Sequence, residues 1–233
     1  MNKLSTFVRL DLLTTKAYMT VKMLLFFVVI EVFIIFFNGP ALGIGTALLL
    51  AVVVVSYPFA IGEKSNMDAL YITLSVDHKT VVGGRYLFAL AVNLSIVAAT
   101  LVVALAAMLV RGEAAIGAFM REVLATTALI LAFTLTLQVI QFPMYFKYGY
   151  TKAKFISLVP VFALIGGLTA VAIAAEERAA AIAAEERGGL SLFAEWLVVF
   201  NRGGVIALAA AAVATIVFVS YRLSVLFYGK REF

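Results

Sequence analysis

The sequence predicts an all-α integral membrane protein, a six-helix bundle, and three observations lead to that class. Of 233 residues, 64% are hydrophobic and 13% charged, against about 25% charged in ordinary soluble domains. Six stretches stay apolar for about 20 residues, the length that crosses roughly 30 Å of hydrocarbon. They are continuously apolar rather than alternating, which excludes barrel strands and leaves helices to satisfy every backbone group in lipid. The spans fall at roughly residues 17–37, 41–61, 85–110, 123–145, 155–174 and 203–227, in one transmembrane domain over residues 1–233.

Taken in order, residues 1–16 read as an amphipathic helix with Leu4, Phe7, Val8, Leu12 and Leu13 on one side and Lys3, Arg9 and Asp11 elsewhere. Such a helix lies at the membrane interface or extends the first span. The segment lacks the short apolar core and small-residue cleavage site of a signal peptide, so it is expected to stay on the chain. Glu31 sits deep in the first span, where a carboxylate costs about 3 kcal/mol on insertion scales and should face the bundle interior or water. It reads as a pathway contact, a proton site or a structural hydrogen bond. Asn38, Gly39 and Pro40 make a tight turn into the second span.

Between the second and third spans lies a polar island, EKSNMDALYITLSVDHKTVVGGRYL, from Glu63 to Leu87. Met67, Leu70, Tyr71 and Leu74 fall at i, i+3, i+4 and i+7, the spacing of one apolar helix face. Ser65 followed by Asp68 fits a capping box, which starts a short helix at Asn66. Two turns cannot hold together alone in water, so another surface must receive the stripe.

Asn93 in the third span and Gln138 and Gln141 in the fourth read first as hydrogen bonds between helices and second as pathway lining. The next loop, QFPMYFKYGYTKAKF, has Pro143 and Gly149 as helix breakers, with Tyr145, Phe146, Tyr148 and Tyr150 as an interfacial belt. Its Tyr148, Tyr150 and Lys152 stand on the same side as the island, which makes the loop a second docking surface. After the fifth span IAAEER occurs twice, at residues 173–178 and 182–187, and Gly188 and Gly189 stop that helix. Residues 190–200 are apolar but too short to cross, and read as an external re-entrant or interfacial helix with Trp196 at headgroup depth.

Charge gives the orientation. Thirteen of the 18 Lys and Arg residues lie in the N-terminal segment, the island, the Pro143 loop and the tail, and five lie on the other side among seven glutamates. That bias places both termini and the island in the cytoplasm. It also accounts for the net charge of +5 without a nucleic-acid partner, which would need basic residues clustered on a soluble face.

Catalytic chemistry is absent from the reading. His78 is the single histidine and there is no cysteine, so neither a metal site nor a Ser-His pair can be assembled. No GxxxxGK[ST] loop is present to cradle nucleotide phosphates, so no cofactor is expected in this chain.

At the island, the order Glu63, Asp68, Leu70, Tyr71, Thr73, Leu74, Val76, Lys79, Val82, Gly84, Arg85, Tyr86, Leu87 resembles the six-span ABC-2 type permeases of bacterial exporters, in particular the phenol-soluble modulin exporter subfamily. The FKYGY element at residues 146–150 looks like that family's second cytoplasmic loop. The resemblance implies a plasma-membrane permease subunit that pairs with a second permease subunit, as a homodimer or heterodimer. It also implies docking on a separate ABC ATP-binding subunit, which binds ATP and Mg, and export of an amphipathic or antimicrobial peptide. By that resemblance the island is a cytoplasmic coupling helix, with Met67, Leu70, Tyr71 and Leu74 entering an ATPase groove and Glu63, Lys64, Asp68 and Arg85 as polar rim or helix-end partners. The alternative is an ion-coupled or structural membrane protein that uses Glu31 and no ATPase.

Overall fold

In a computed structural model the chain is an all-α helical bundle; the structure describes residues 3–18, 20–73, 76–111, 116–157, 159, 162 and 203–230. Helix α1 is Lys3–Tyr18, α2 Val21–Asn38, α3 Pro40–Lys64, α4 Met67–Thr73, α5 His78–Arg111, α6 Ile116–Tyr148, α7 Tyr150–Ile156 and α8 Gly203–Gly229. Among the described residues α2, α3, α5 and α6 are long and apolar enough to cross a membrane, and α8 adds a shorter apolar stretch, Val213–Gly229. The predicted fifth span past residue 162, the duplicated IAAEER segment and the re-entrant stretch lie outside the described residues, and the first residues of that span, Phe155 and Ile156, belong to α7.

Helices α3, α5 and α6 form the middle. Against them pack α2 (on α3 and α5), α8 (on α6 and α5), α1 (on α5 and α3) and α7 (on α6 and α3), while α4 sits on α3. The outer side of α2 keeps Leu25, Phe26, Val29, Phe33 and Phe37 exposed, as expected for a helix whose solvent is lipid. The turn between α2 and α3 is as the sequence predicts. Gly39 takes φ 93°, its N–H bonds the Ile35 carbonyl at 3.2 Å, and Pro40 opens α3, using the left-handed freedom of glycine and the missing N–H of proline where each fits.

The structure differs from the sequence reading in four places. Ser65 does not open α4 but closes α3, its N–H bonding the Ile61 carbonyl, and Asn66 turns the chain at φ 49° so that α4 begins at Met67. Helix α5 begins at His78 rather than 85, with Asp77 before it accepting the Lys79 N–H at 3.4 Å. At 34 residues it is about 51 Å long, well beyond the hydrocarbon thickness, so its first turns stand clear of the span.

Pro143 does not break α6, which runs on to Tyr148 and stops at Gly149, φ 74°. A proline leaves the carbonyl four residues back without its donor, and here Ser220 Oγ of α8 donates to that carbonyl, Val139 O, at 2.5 Å. Finally, α1 buries the stripe Phe7, Asp11 and Thr15 while Leu12 and Leu13 face outward, because its inner face meets a charge on α5 rather than an apolar groove.

Candidate functional site

The basic end of the bundle, which exposes Lys64, Lys79, Lys147 and Lys152, gathers the island and the Pro143 loop around Arg85. Gly84 lets α1 approach α5, since a Cβ there would run into the Phe7 ring. That approach brings Asp11 Oδ2 to 3.1 Å from Arg85 Nε, with side chains 2% and 5% exposed. The guanidinium also lies over the Phe59 ring at 4.8 Å and the Phe7 ring at 6.0 Å, within cation–π range. Nη1 of Arg85 is buried with no hydrogen bond among the described residues. Burial pushes the Asp11 carboxyl above its ordinary value and Arg85 pulls it partly back.

Arg85, expected on a docking rim, is therefore an internal ion-pair residue. Its neighbour Tyr86 supports a second polar node in the bundle. Ser220 spends its proton on the Val139 carbonyl, so the Tyr86 hydroxyl donates to Ser220 Oγ (2.6 Å) and accepts from Ser224 Oγ (3.0 Å). Helices α5, α6 and α8 are pinned by this chain of bonds.

The α4 stripe is divided between the chain's own core and the surface. Tyr71 is 5% exposed and tilted against Phe7 at 5.2 Å, and burial pushes its phenol pKa up. Met67 is half-buried, and its Sδ accepts the Tyr71 hydroxyl at 3.5 Å. Leu70 is 51% exposed and points away from the bundle. Leu74 lies outside the described residues. The i, i+4 pair Met67 and Tyr71 thus anchors the short helix, and of the described stripe Leu70 alone is presented outward.

Acidic residues of the island tie it to other helices. Asp68 Oδ1 accepts the Tyr228 hydroxyl of α8 at 3.0 Å, and His78 meets the Tyr228 ring edge-on at 5.4 Å. Glu63 Oε2 accepts the Thr151 backbone N–H at 2.9 Å. Since Gly149 offers α7 no capping side chain, Glu63 supplies the negative group that a helix N-terminus favours, from a different helix. The island and the Pro143 loop, read separately in the sequence, are joined by this bond. Tyr148 is 41% exposed, Lys152 is exposed, and Tyr150 is half-buried against Tyr145 at 5.7 Å.

The residues weighed as pathway lining separate into two kinds. Asn93 and Gln138 are buried and exchange two hydrogen bonds (2.8 and 3.3 Å) between α5 and α6, and Asn93 also donates to Ala89 O. Gln141, buried one turn away, accepts from the Tyr145 hydroxyl at 3.5 Å. The Asn93–Gln138 pair holds α5 to α6, whereas the Gln141 bond lies within α6. Glu31 differs. Its Oε2 accepts the Thr46 hydroxyl at 3.2 Å, its Oε1 is buried without a hydrogen bond, and it lines a groove between α2, α3 and α5.

Sequence reasoning missed Asp11, Tyr228, Thr151 and Ser220. The available signals were Asp11 at i+4 from Phe7, a lone acid on a basic segment, and the proline at 143, which demands a donor for residue 139. Tyr228 and Thr151 carry no sequence signal, because their partners are 160 and 88 residues away.

Compared with known proteins, the chain matches the family model described as ABC-2 family transporter protein over residues 7–229, nearly its whole length. Neither the curated proteins nor the solved structures yield a match. ABC-2 permeases generally work with an ATP-binding cassette subunit, and the match takes in both the Arg85 cluster and the island. The chain belongs to the ABC-2 transporter family and is a membrane permease component of an ABC-type transport system.

Proposed function

We propose that the chain is the permease subunit of an ATP-driven exporter in a bacterial plasma membrane. Helix α4 is its coupling helix, and an amphipathic or antimicrobial peptide is its cargo. The observation that supports this most directly is Leu70. It stands exposed on a seven-residue helix that is too short to be stable alone and is held rigid by Tyr71, Met67 and Asp68. A short helix that offers one apolar side chain from an anchored base suits insertion into a groove of a partner protein. Lys64, Lys79 and Lys152 are exposed at the same basic end and would meet acidic groups on the ATPase. Tyr148 and Lys152 of the Pro143 loop form the adjoining contact. Both termini and α4 lie on the cytoplasmic side in this reading.

Movement of α4 on ATP-driven closure would reach the spans by the links above. Asp68 draws on Tyr228 and α8, Glu63 on α7, and Tyr71 on Phe7, α1 and the Arg85 pair at the foot of α5. A second permease subunit completes the complex, as the family resemblance implies. The test is co-purification and ATP hydrolysis of the assembled complex with Leu70→Glu, which leaves the Tyr71 anchor intact. Loss of ATPase binding by about tenfold or more is expected, the order of one apolar anchor of a helix-in-groove contact. Unchanged assembly and hydrolysis would refute the assignment of α4.

A further inference from the structure

The groove between α2, α3 and α5 has a volume of about 830 Å³, within the range of sites that take small ligands. Its lining on α5 runs from Phe88 to Thr100, twelve residues of helix or about 18 Å. Helix α1 contributes Thr15 and Lys16, and the other polar lining residues are Glu31, Thr46, Ser95 and Thr100. Ser95 and Thr100 donate to Ala91 O and Ile96 O of their own helix. Thr46 Oγ1 stands 3.2 Å from Glu31 Oε2, but its one proton is shared with Gly43 O (2.9 Å) and Leu42 O (3.2 Å), and Glu31 Oε1 is buried without a hydrogen bond. Gly43 permits this placement, since a Cβ there would run into Ile35 and stand 3.1 Å from that oxygen.

An apolar trough about 18 Å long, with Lys16 at its α1 end and, on α2, a single acidic group that forms no ion pair with it or with another described residue, is complementary at that acidic group to one chemical class. We infer that the groove binds a cationic amphiphile, its apolar body along α3 and α5 and its ammonium or guanidinium against Glu31. A carboxylate in apolar surroundings is costly unless paired, and a bound cation supplies the pair. Apolar contact without charge would fill the same walls but leave Glu31 as it is. The inference deepens the exporter reading by giving its cargo a place to bind, and it rests on that reading only for the direction of transport.

The test uses the full chain without any ATPase, in nanodiscs of phosphatidylcholine and phosphatidylglycerol so that no lipid carries a primary amine. Photoactivatable dodecylamine, dodecanol and dodecanoate, identical but for the head group, are crosslinked at pH 7 and the labelled peptides of α2, α3 and α5 are quantified. Dodecylamine should label the groove about tenfold more than dodecanol, the ratio expected for one charge pair of modest strength, and dodecanoate least. Glu31→Gln should bring the amine down to the alcohol's level. Ala99→Trp, which fills the groove and keeps the carboxylate, should lower labelling by both.

If Glu31→Gln does not fold, the three head groups on the native chain and on Ala99→Trp decide alone. Equal labelling by the three, or amine labelling that survives Glu31→Gln, overturns the inference. Because no ATP or partner is present, that result leaves the docking of Leu70 standing, and a failed Leu70 experiment leaves this one intact.

Discussion

Truncating Asp11 to alanine removes one half of an ion pair whose side chains are 2% and 5% exposed. The cost should be about 3 to 5 kcal/mol, because a buried guanidinium is left without its counter-charge. Two features of the structure set where in that range it falls. The Phe59 and Phe7 rings remain at 4.8 and 6.0 Å and retain about 0.5 to 1 kcal/mol each, and buried Nη1, already without a hydrogen bond among the described residues, loses none by the truncation. The lower end, about 3 kcal/mol, is the expectation.

The loss should be local to α1, which meets α5 through this pair and through Phe7 against Gly84. At about 1.4 kcal/mol per tenfold, amides of residues 3–18 should lose roughly a hundredfold in hydrogen-exchange protection while α6 and α8 keep theirs. Asp11→Leu combined with Arg85→Met should recover most of it, since replacing both charges removes the desolvation penalty together with the attraction. Protection of α1 within about twofold of the native chain in Asp11→Ala would show that the pair does not hold α1, and the reasoning would fall.

Two further outcomes follow from the same geometry. Glu63→Ala should cost about 1 kcal/mol and speed proteolysis within α7, because the Thr151 N–H loses its charged acceptor; a cleavage rate equal to native would contradict this. Ser220→Ala should cost about 1 to 2 kcal/mol in thermal unfolding in detergent, as the carbonyl freed by Pro143 loses its donor, and Ser220→Thr should retain most of the stability.

The helical class and the second, third and fourth spans were legible in the sequence because composition and run length decide them. So was the Gly39-Pro40 turn, which depends on backbone chemistry local to those residues. The ends of α5 and α6 were not, because a helix that outruns the membrane is set by what it packs against rather than by hydropathy; His78 to Gly84 are helical although polar, and Pro143 stays helical because Ser220 answers for it. The period-3.6 stripe on α4 was legible, but which of its members face the chain and which face outward was not. Tyr71 and Leu70 are adjacent in sequence, and a ring on α1, far earlier in the chain, decides that the tyrosine is the one buried. Arg85 was placed on a rim for the same reason, since its partner Asp11 lies 74 residues away on a segment that the pattern assigned to lipid.

The most direct test of the account uses the fact that the chain has no cysteine. Leu70→Cys and Asn38→Cys, the second at the far end of α2, give two single reactive positions, each to be labelled with a maleimide-benzophenone and photolysed in the complex with its ATP-binding subunit. The account predicts crosslinking of the ATPase to the Leu70 position and none to the Asn38 position. A complex that assembles and hydrolyses ATP yet crosslinks at Asn38, or at neither, would contradict the claim that α4 is where this permease meets its ATPase.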